Sequence, residues 1–270
     1  MAVYSIKKRG FFSGLSLTTK LITLNVLFYF VGIFIFAIYG EEFVLNNLAI
    51  KPSLILSGKS LWTIITSMFM HAGLFHVFAN MFSLFFIGNF LEKIIGKTRF
   101  FWVYILSGIV GGLFFVFASL IFGNLDASAV GASGAIFGLL GVLAVLVPFS
   151  RVYLIAGPLI IIVVEVLFSS IIPESLLSIF SFFINFLIIV MIFSLFSFNK
   201  NLRRIAVPVE LPLWLLPIIA IVPLAIIGYF VPLPIGNSAH IGGLLTGMAY
   251  AFYLRYRFPN KTQSLRRLFK

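Results

Sequence analysis

The chain has 270 residues, 61% of them hydrophobic and only 10% charged, with 34 phenylalanines and a formal net charge of +12. A soluble domain of this length needs far more polar surface, so the composition points to a polytopic membrane protein. The basic residues sit in short runs between apolar stretches, a pattern of topology signals rather than of nucleic-acid binding. The chain contains no cysteine, which excludes disulfides, thiolate catalysis and cysteine metal sites.

Residues 1–20 form a basic N-terminal segment with Lys7, Lys8, Arg9 and Lys20. The apolar stretch 21–39 is long for a signal-peptide core, and no A-x-A-like site follows, so it is expected to be a retained span. The connection 40–72 is the longest and only moderately apolar, with Trp62 suited to an interfacial position. Further apolar stretches follow at 73–94, 100–123, 131–148, 152–172, 175–197, 212–231 and 239–256. Each is long enough, or nearly so, to cross a hydrocarbon core of about 30 Å at about 1.5 Å per residue. The expectation is an all-α, polytopic transmembrane helical bundle with about eight spans, a membrane domain over 21–256 and a basic tail over 257–270. The stretches 152–172 and 175–197, separated only by Pro173-Glu174, are expected either to cross or to form a shallow hairpin. Parity is the same in both cases.

Orientation follows from lysine and arginine positions. With the N-terminus in the cytoplasm and eight crossings, 17 of the 19 basic residues fall inside, and only Lys51 and Lys59 face out. Both termini are then cytoplasmic. The spans beginning near residues 73, 131 and 239 all run inward, so His76, Asn80, Ser133 and His240 are expected at similar depth near the outer face.

Polar groups within spans usually do chemistry or line a polar cavity. Ser133 lies in Gly131-Ala132-Ser133-Gly134, at the N-terminus of an apolar stretch. The glycines permit a tight turn, and the free N–H groups and positive dipole end of a helix start can hold an oxyanion. A serine hydroxyl is a weak nucleophile until a base takes its proton, and histidine is the usual base. Alone, a G-x-S-G sequence is also ordinary helix packing. His240 is followed by Gly243 and Gly247, while Gly134 and Gly138 follow Ser133. Two such small-residue faces let backbones approach until hydroxyl and imidazole are within hydrogen-bond reach. Phe137, one turn below Ser133, can stack on the imidazole. His76 and Asn80 share one helical face and offer N–H donors for an oxyanion, or plain interhelical hydrogen bonds. His71 lies at the mouth of that span. No carboxylate is placed to orient His240, so a Ser–His dyad is expected rather than a triad. Glu165, the one acid deep in a span, is expected to be neutral or paired. Three histidines without H-E-x-x-H or a neighbouring acid do not make a zinc site, and no cofactor is expected.

Several pieces taken together resemble the rhomboid family of intramembrane serine proteases. They are Trp62-Thr63 through Ser67-Met68-Phe69, His71-x4-His76-x3-Asn80, Gly88-x3-Glu92, Gly131-Ala132-Ser133-Gly134-Ala135-Ile136-Phe137-Gly138 and Ala239-His240-x2-Gly243-x3-Gly247. The resemblance covers roughly 20–148 and 203–256, and implies a six-helix core with an extra helix pair about 152–197. It implies Ser133 as nucleophile and His240 as general base. It also implies an oxyanion hole of His76, Asn80 and the Ser133 N–H, Phe137 packed on His240, and Glu92 as a structural residue. Stretch 212–231 would gate lateral entry of transmembrane protein substrates from the lipid bilayer, cleaved near the outer face of a prokaryotic-type cell membrane. Two features depart from the family pattern. Thr63 stands where many rhomboids have arginine, and three stretches rather than one separate the serine and histidine helices. The alternatives are a catalytically silent relative that binds membrane proteins, and a transporter, against which no inverted repeat is visible.

Overall fold

The computed structural model describes residues 14–169, 171–230 and 236–269. Lys7, Lys8, Arg9, Lys270 and the end of stretch 212–231 lie outside them. Every stretch expected to cross holds a helix, and the fold is a helical bundle with one small ladder. The principal helices are α1 (Leu17–Asn47), α2 (Leu74–Ile95), α3 (Lys97–Phe122), α4 (Ser133–Leu146), α5 (Ala156–Ser169), α6 (Glu174–Ser194), α7 (Lys200–Ile205), α8 (Leu216–Phe230), α9 (Asn237–Arg257) and α10 (Pro259–Leu268). Among the described residues α1, α2, α3 and α6 are long and apolar enough by themselves to cross a membrane. Large apolar side chains cover their outer faces; Phe34 on α1, for instance, is 66% exposed. An apolar exterior of this extent requires lipid rather than water around it.

The chain divides into two compact units, Met1–Leu143 with Gly236–Arg257 and Ala144–Ile235 with Phe258–Lys270, each taken over its described residues. In the first unit, α1 carries a break at Gly40, whose φ of 79° and ψ of 176° interrupt the helix where the stretch 21–39 was expected to end. The start of α1 is held by Glu92 on α2. Its carboxylate accepts hydrogen bonds from the backbone N–H groups of Leu17 (2.9 Å) and Thr18 (2.8 Å) and from the Thr18 hydroxyl (2.8 Å). An anion on the unsatisfied first-turn donors is the favourable arrangement for a helix N-terminus. Gly88, one turn earlier within a π-helical turn at Leu84–Gly88, lets Thr18 come close; a Cβ there would stand 2.8 Å from Thr18 Cγ2. The Gly88-x3-Glu92 motif is thus a docking device for α1.

The connector between α1 and α2 packs back onto the bundle. Met68 lies over Gly108 of α3, and a Cβ on Gly112 would stand 2.6 Å from Ile50 Cδ1. Trp62 is exposed, and its indole N–H donates to the Asn47 carbonyl at 2.8 Å. Thr63 is fully buried, with its hydroxyl on the Ser60 carbonyl.

The second unit differs from the expectation at one point. Arg151–Ile155, read as the start of a span, is instead a strand, β1, pairing antiparallel with β2 (Pro208–Pro212). Arg151 faces Pro212 and Ile155 faces Pro208 across the ladder. Val152, Tyr153 and Ile155 are strand-favouring types. The two prolines end β2, where a missing N–H costs least. The ladder therefore zips together the entry and exit of the inserted segment holding α5, α6 and α7. Helix α5 is left with 14 residues, about 21 Å at ~1.5 Å per residue and short of a full hydrocarbon core. Glu165 lies half-buried on α5, with no hydrogen bond or ion pair among the described residues.

Candidate active site

Three helices of the first unit meet through glycines. On α9, a Cβ added to Gly243 or Gly247 would run into the backbone carbonyls of Gly134 and Gly138 on α4. On α3, a Cβ on Gly111 would stand 2.7 Å from the Ala239 carbonyl oxygen, and one on α9 Gly242 would meet Phe114 at 2.6 Å. Backbone-to-backbone contact of this kind fixes helix positions more tightly than interlocking long side chains. The α3 glycines were not singled out in the sequence. Ser107-Gly108-x2-Gly111-Gly112 carries the same small-residue spacing as the other two helices, so the signal was present.

At the top of this junction, Ser133 Oγ and His240 Nε2 are 2.8 Å apart. Ser133 is the first residue of α4, so its own N–H lies among those a helix leaves unbonded. Phe137, one turn on, stacks on the His240 ring with centroids 4.4 Å apart and planes 16° apart. The ring is thereby held in a single plane against α4. For Nε2 to accept the serine proton, Nδ1 must carry the hydrogen; Nδ1 is buried and has no hydrogen-bond partner among the described residues. Among the described residues, stacking rather than a carboxylate is the orienting contact on the His240 ring.

The turn before Ser133 rests on α2. Gly131 has φ of 127°, a region that disfavours any side chain, and a Cβ there would stand 2.9 Å from both Cε1 and Nε2 of His76 and 3.7 Å from Asn80 Nδ2. His76 Nδ1 accepts a long hydrogen bond, 3.5 Å, from the Ala72 N–H. In the neutral ring that puts the proton on Nε2, the nitrogen beside Gly131. Asn80, buried, donates one amide hydrogen to the His76 carbonyl at 3.0 Å. Asn80 Nδ2 lies beside the same turn. Two N–H donors thus flank the Gly131 turn. His71 packs edge-on to His76, with ring centroids 5.2 Å apart.

Backbone bonds hold the turn from its other side. The Gly131 N–H donates to the Ser67 carbonyl at 2.8 Å. Ile50 and Ala129 exchange both of their N–H···O bonds, at 3.0 and 2.9 Å. No sequence motif marks Ile50 or Ala129, because such a bridge is made by backbone atoms. The Ser67-Met68-Phe69 piece contributes a carbonyl and a buried methionine rather than a reactive group.

A family model described as the Rhomboid domain matches residues 58–188 and 184–257. RHOMBOID-like protein 1 of Arabidopsis thaliana is 44% identical over 93 residues, 34% of this chain and 23% of that protein. The putative rhomboid protease YdcA of Bacillus subtilis is 43% identical over 88 residues, 33% of this chain and 42% of that protein. The inactive RHOMBOID-like protein 8 of Arabidopsis thaliana is 44% identical over 81 residues, 30% and 22% of the respective chains. The matched segment therefore spans less than half the length of each of these relatives.

Proposed function

The chain belongs to the rhomboid family, and from that premise we propose that it is an intramembrane serine endopeptidase working through a Ser133–His240 dyad. The observation that carries the reading is the 2.8 Å contact between Ser133 Oγ and His240 Nε2. In the proposed reaction His240 Nε2 takes the hydroxyl proton as Ser133 Oγ attacks the scissile carbonyl carbon. The oxyanion is received by the Ser133 N–H, His76 Nε2–H and Asn80 Nδ2–H, donors fixed before the charge develops. His240 then protonates the leaving amine, and water releases the acyl group by the same steps in reverse. Gly131, Gly134, Gly138, Gly243 and Gly247 set the helix separation, and Phe137 holds the imidazole plane.

The substrates are proposed to be transmembrane protein segments. They must unwind locally, since a helical peptide carbonyl is already hydrogen-bonded. The proposed layout is a cytoplasmic basic segment 1–20, a membrane domain 21–256 with an inserted pair at 152–197, and a cytoplasmic basic tail 257–270. The dyad then lies near the outer face of the cell membrane, as the positive-inside count requires.

A second reading has one observation in its favour: a relative 44% identical over the matched segment is named inactive. Labelling with a serine-reactive fluorophosphonate, together with cleavage of a transmembrane reporter in proteoliposomes, separates the two. Wild type is expected to be labelled and to cleave. Ser133→Ala is expected to do neither, and His240→Ala to lose at least about 10³-fold in rate. Equal labelling of wild type and Ser133→Ala, with no cleavage by either, selects the silent relative.

A further inference from the structure

Beside the ladder, the second unit carries a cavity that the proteolytic reading does not use. Its volume is about 430 Å³, and it is lined by Phe149, Arg151, Pro212 and Trp214. The walls are stitched by backbone. The Leu213 N–H donates to the Ser150 carbonyl at 2.9 Å and the Trp214 N–H to the Pro148 carbonyl at 3.1 Å, next to the Arg151–Pro212 pair of the ladder. The backbone that carries the lining is thus pinned before any ligand arrives. Arg151 makes no hydrogen bond or ion pair among the described residues, and no acid lines the cavity.

The same unit carries further positive charge. Arg203 and Arg204 close α7, and Lys261, Arg266 and Arg267 lie on α10. Arg266 Nη2 donates to the Val145 carbonyl at 3.4 Å, which ties α10 to the end of α4, one turn before Phe149. Among these segments Glu210 is the single acid, facing Tyr153 across the ladder. Phe149 and Trp214 are 56% and 44% exposed, flat aromatic surfaces at the ends of apolar helices, where membrane interfaces favour them.

We propose that this cavity binds the phosphodiester headgroup of an anionic phospholipid, with Arg151 as its cation and Phe149 and Trp214 against the glycerol and upper acyl chain. A guanidinium forks onto phosphate oxygens, and the cavity falls in the size range of small-molecule sites, about 300–1,000 Å³. An anionic rather than zwitterionic lipid is required because the site holds positive charge and no carboxylate to receive a choline. In the proposed orientation the cavity opens toward the inner leaflet, where a basic pocket meets anionic lipid.

The test is native mass spectrometry of the purified full-length protein in neutral detergent, titrated with phosphatidylglycerol or phosphatidylcholine. Wild type is expected to retain phosphatidylglycerol over phosphatidylcholine, and Arg151→Gln to weaken that binding about fivefold, the effect of one interfacial cation. Arg151→Lys is expected to fall between them, Trp214→Leu to weaken binding, and Lys59→Gln, in the other unit, to match wild type. Excess inorganic phosphate is expected not to displace the lipid. Equal retention of the two lipids, undiminished binding by Arg151→Gln, or displacement by phosphate overturns the proposal. If Arg151→Gln fails to fold, wild-type affinity in Trp214→Leu overturns it instead. The measurement involves neither sidedness nor proteolysis, so its failure is distinct from failure of the protease reading.

Discussion

The two units are held together by different physics. In the first, α3, α4 and α9 come together at Gly111, Gly134, Gly138, Gly243 and Gly247, where the close neighbours are backbone atoms apart from the short Ser107 side chain beside Gly138. In the second, an inserted helix pair is closed at its base by five backbone pairs between β1 and β2, and α6 presents large exposed side chains such as Phe182 and Phe186. Glycine contacts are intolerant of added atoms, whereas a zipped insertion can change without altering the residues that flank it. A site needing two atoms 2.8 Å apart is built from the first kind of contact.

That contrast is open to direct attack. The largest effect is expected from Gly247→Val, which drives a branched side chain into the Gly138 carbonyl. Separating α4 from α9 by about 1 Å should cost cleavage on the order of 10²-fold, with a destabilisation of about 1–3 kcal/mol in thermal unfolding. Wild-type rates in this variant would show that the glycine contact does not position the dyad. Gly131→Ala comes next. It combines a positive φ with a Cβ 2.9 Å from the His76 ring, so a loss of about 10-fold or more in kcat is expected. Serine labelling should persist, because Ser133 and His240 are untouched. A KM effect alone would count against an oxyanion role for His76.

Glu92→Gln tests the first unit away from the site. The variant keeps the shape but loses the charge, and its amide NH2 replaces one of the two oxygens that accept from Leu17 and Thr18, so a loss of about 1–3 kcal/mol in thermal stability is expected. Unchanged melting would mean that α1 is held by its apolar face alone. The smallest effect is expected from replacing residues 156–207 with a two-residue Asn-Gly turn joining Ile155 to Pro208, which already face each other. Serine labelling should stay within about threefold of wild type, since a two-residue loop suits paired strands. Abolished labelling in a protein that still elutes as a folded species would show that the insertion supports the site.

Much of the helical framework was legible because hydrocarbon forces apolar stretches of a definite length, and each expected stretch holds a helix. Glycine spacing pointed to α4 and α9 as partners, and the same spacing on α3 was overlooked because no polar residue of evident chemistry drew notice to it. The ladder was missed for a different reason. Val152-Tyr153-Leu154-Ile155 is as apolar as the helix that follows, and four apolar residues carry no period that separates strand from span. Only the distant partner Pro208–Pro212 decides between them. Gly40 was read as a boundary by composition, although the helix resumes beyond it.

The sequence by itself determined a membrane-embedded helical chain, the residue types able to form a nucleophile, a base and an oxyanion pocket, and the glycines that admit close packing. These follow from composition, period and the chemistry of single side chains. The tertiary structure decided which nitrogen meets which oxygen. It aligned Ser133 with His240 Nε2, turned His76 Nε2 toward Gly131, set Glu92 on the start of α1 and zipped the insertion closed. Those choices depend on backbone atoms far apart in the chain, and backbone atoms are the same whatever the residue, so no local pattern records them.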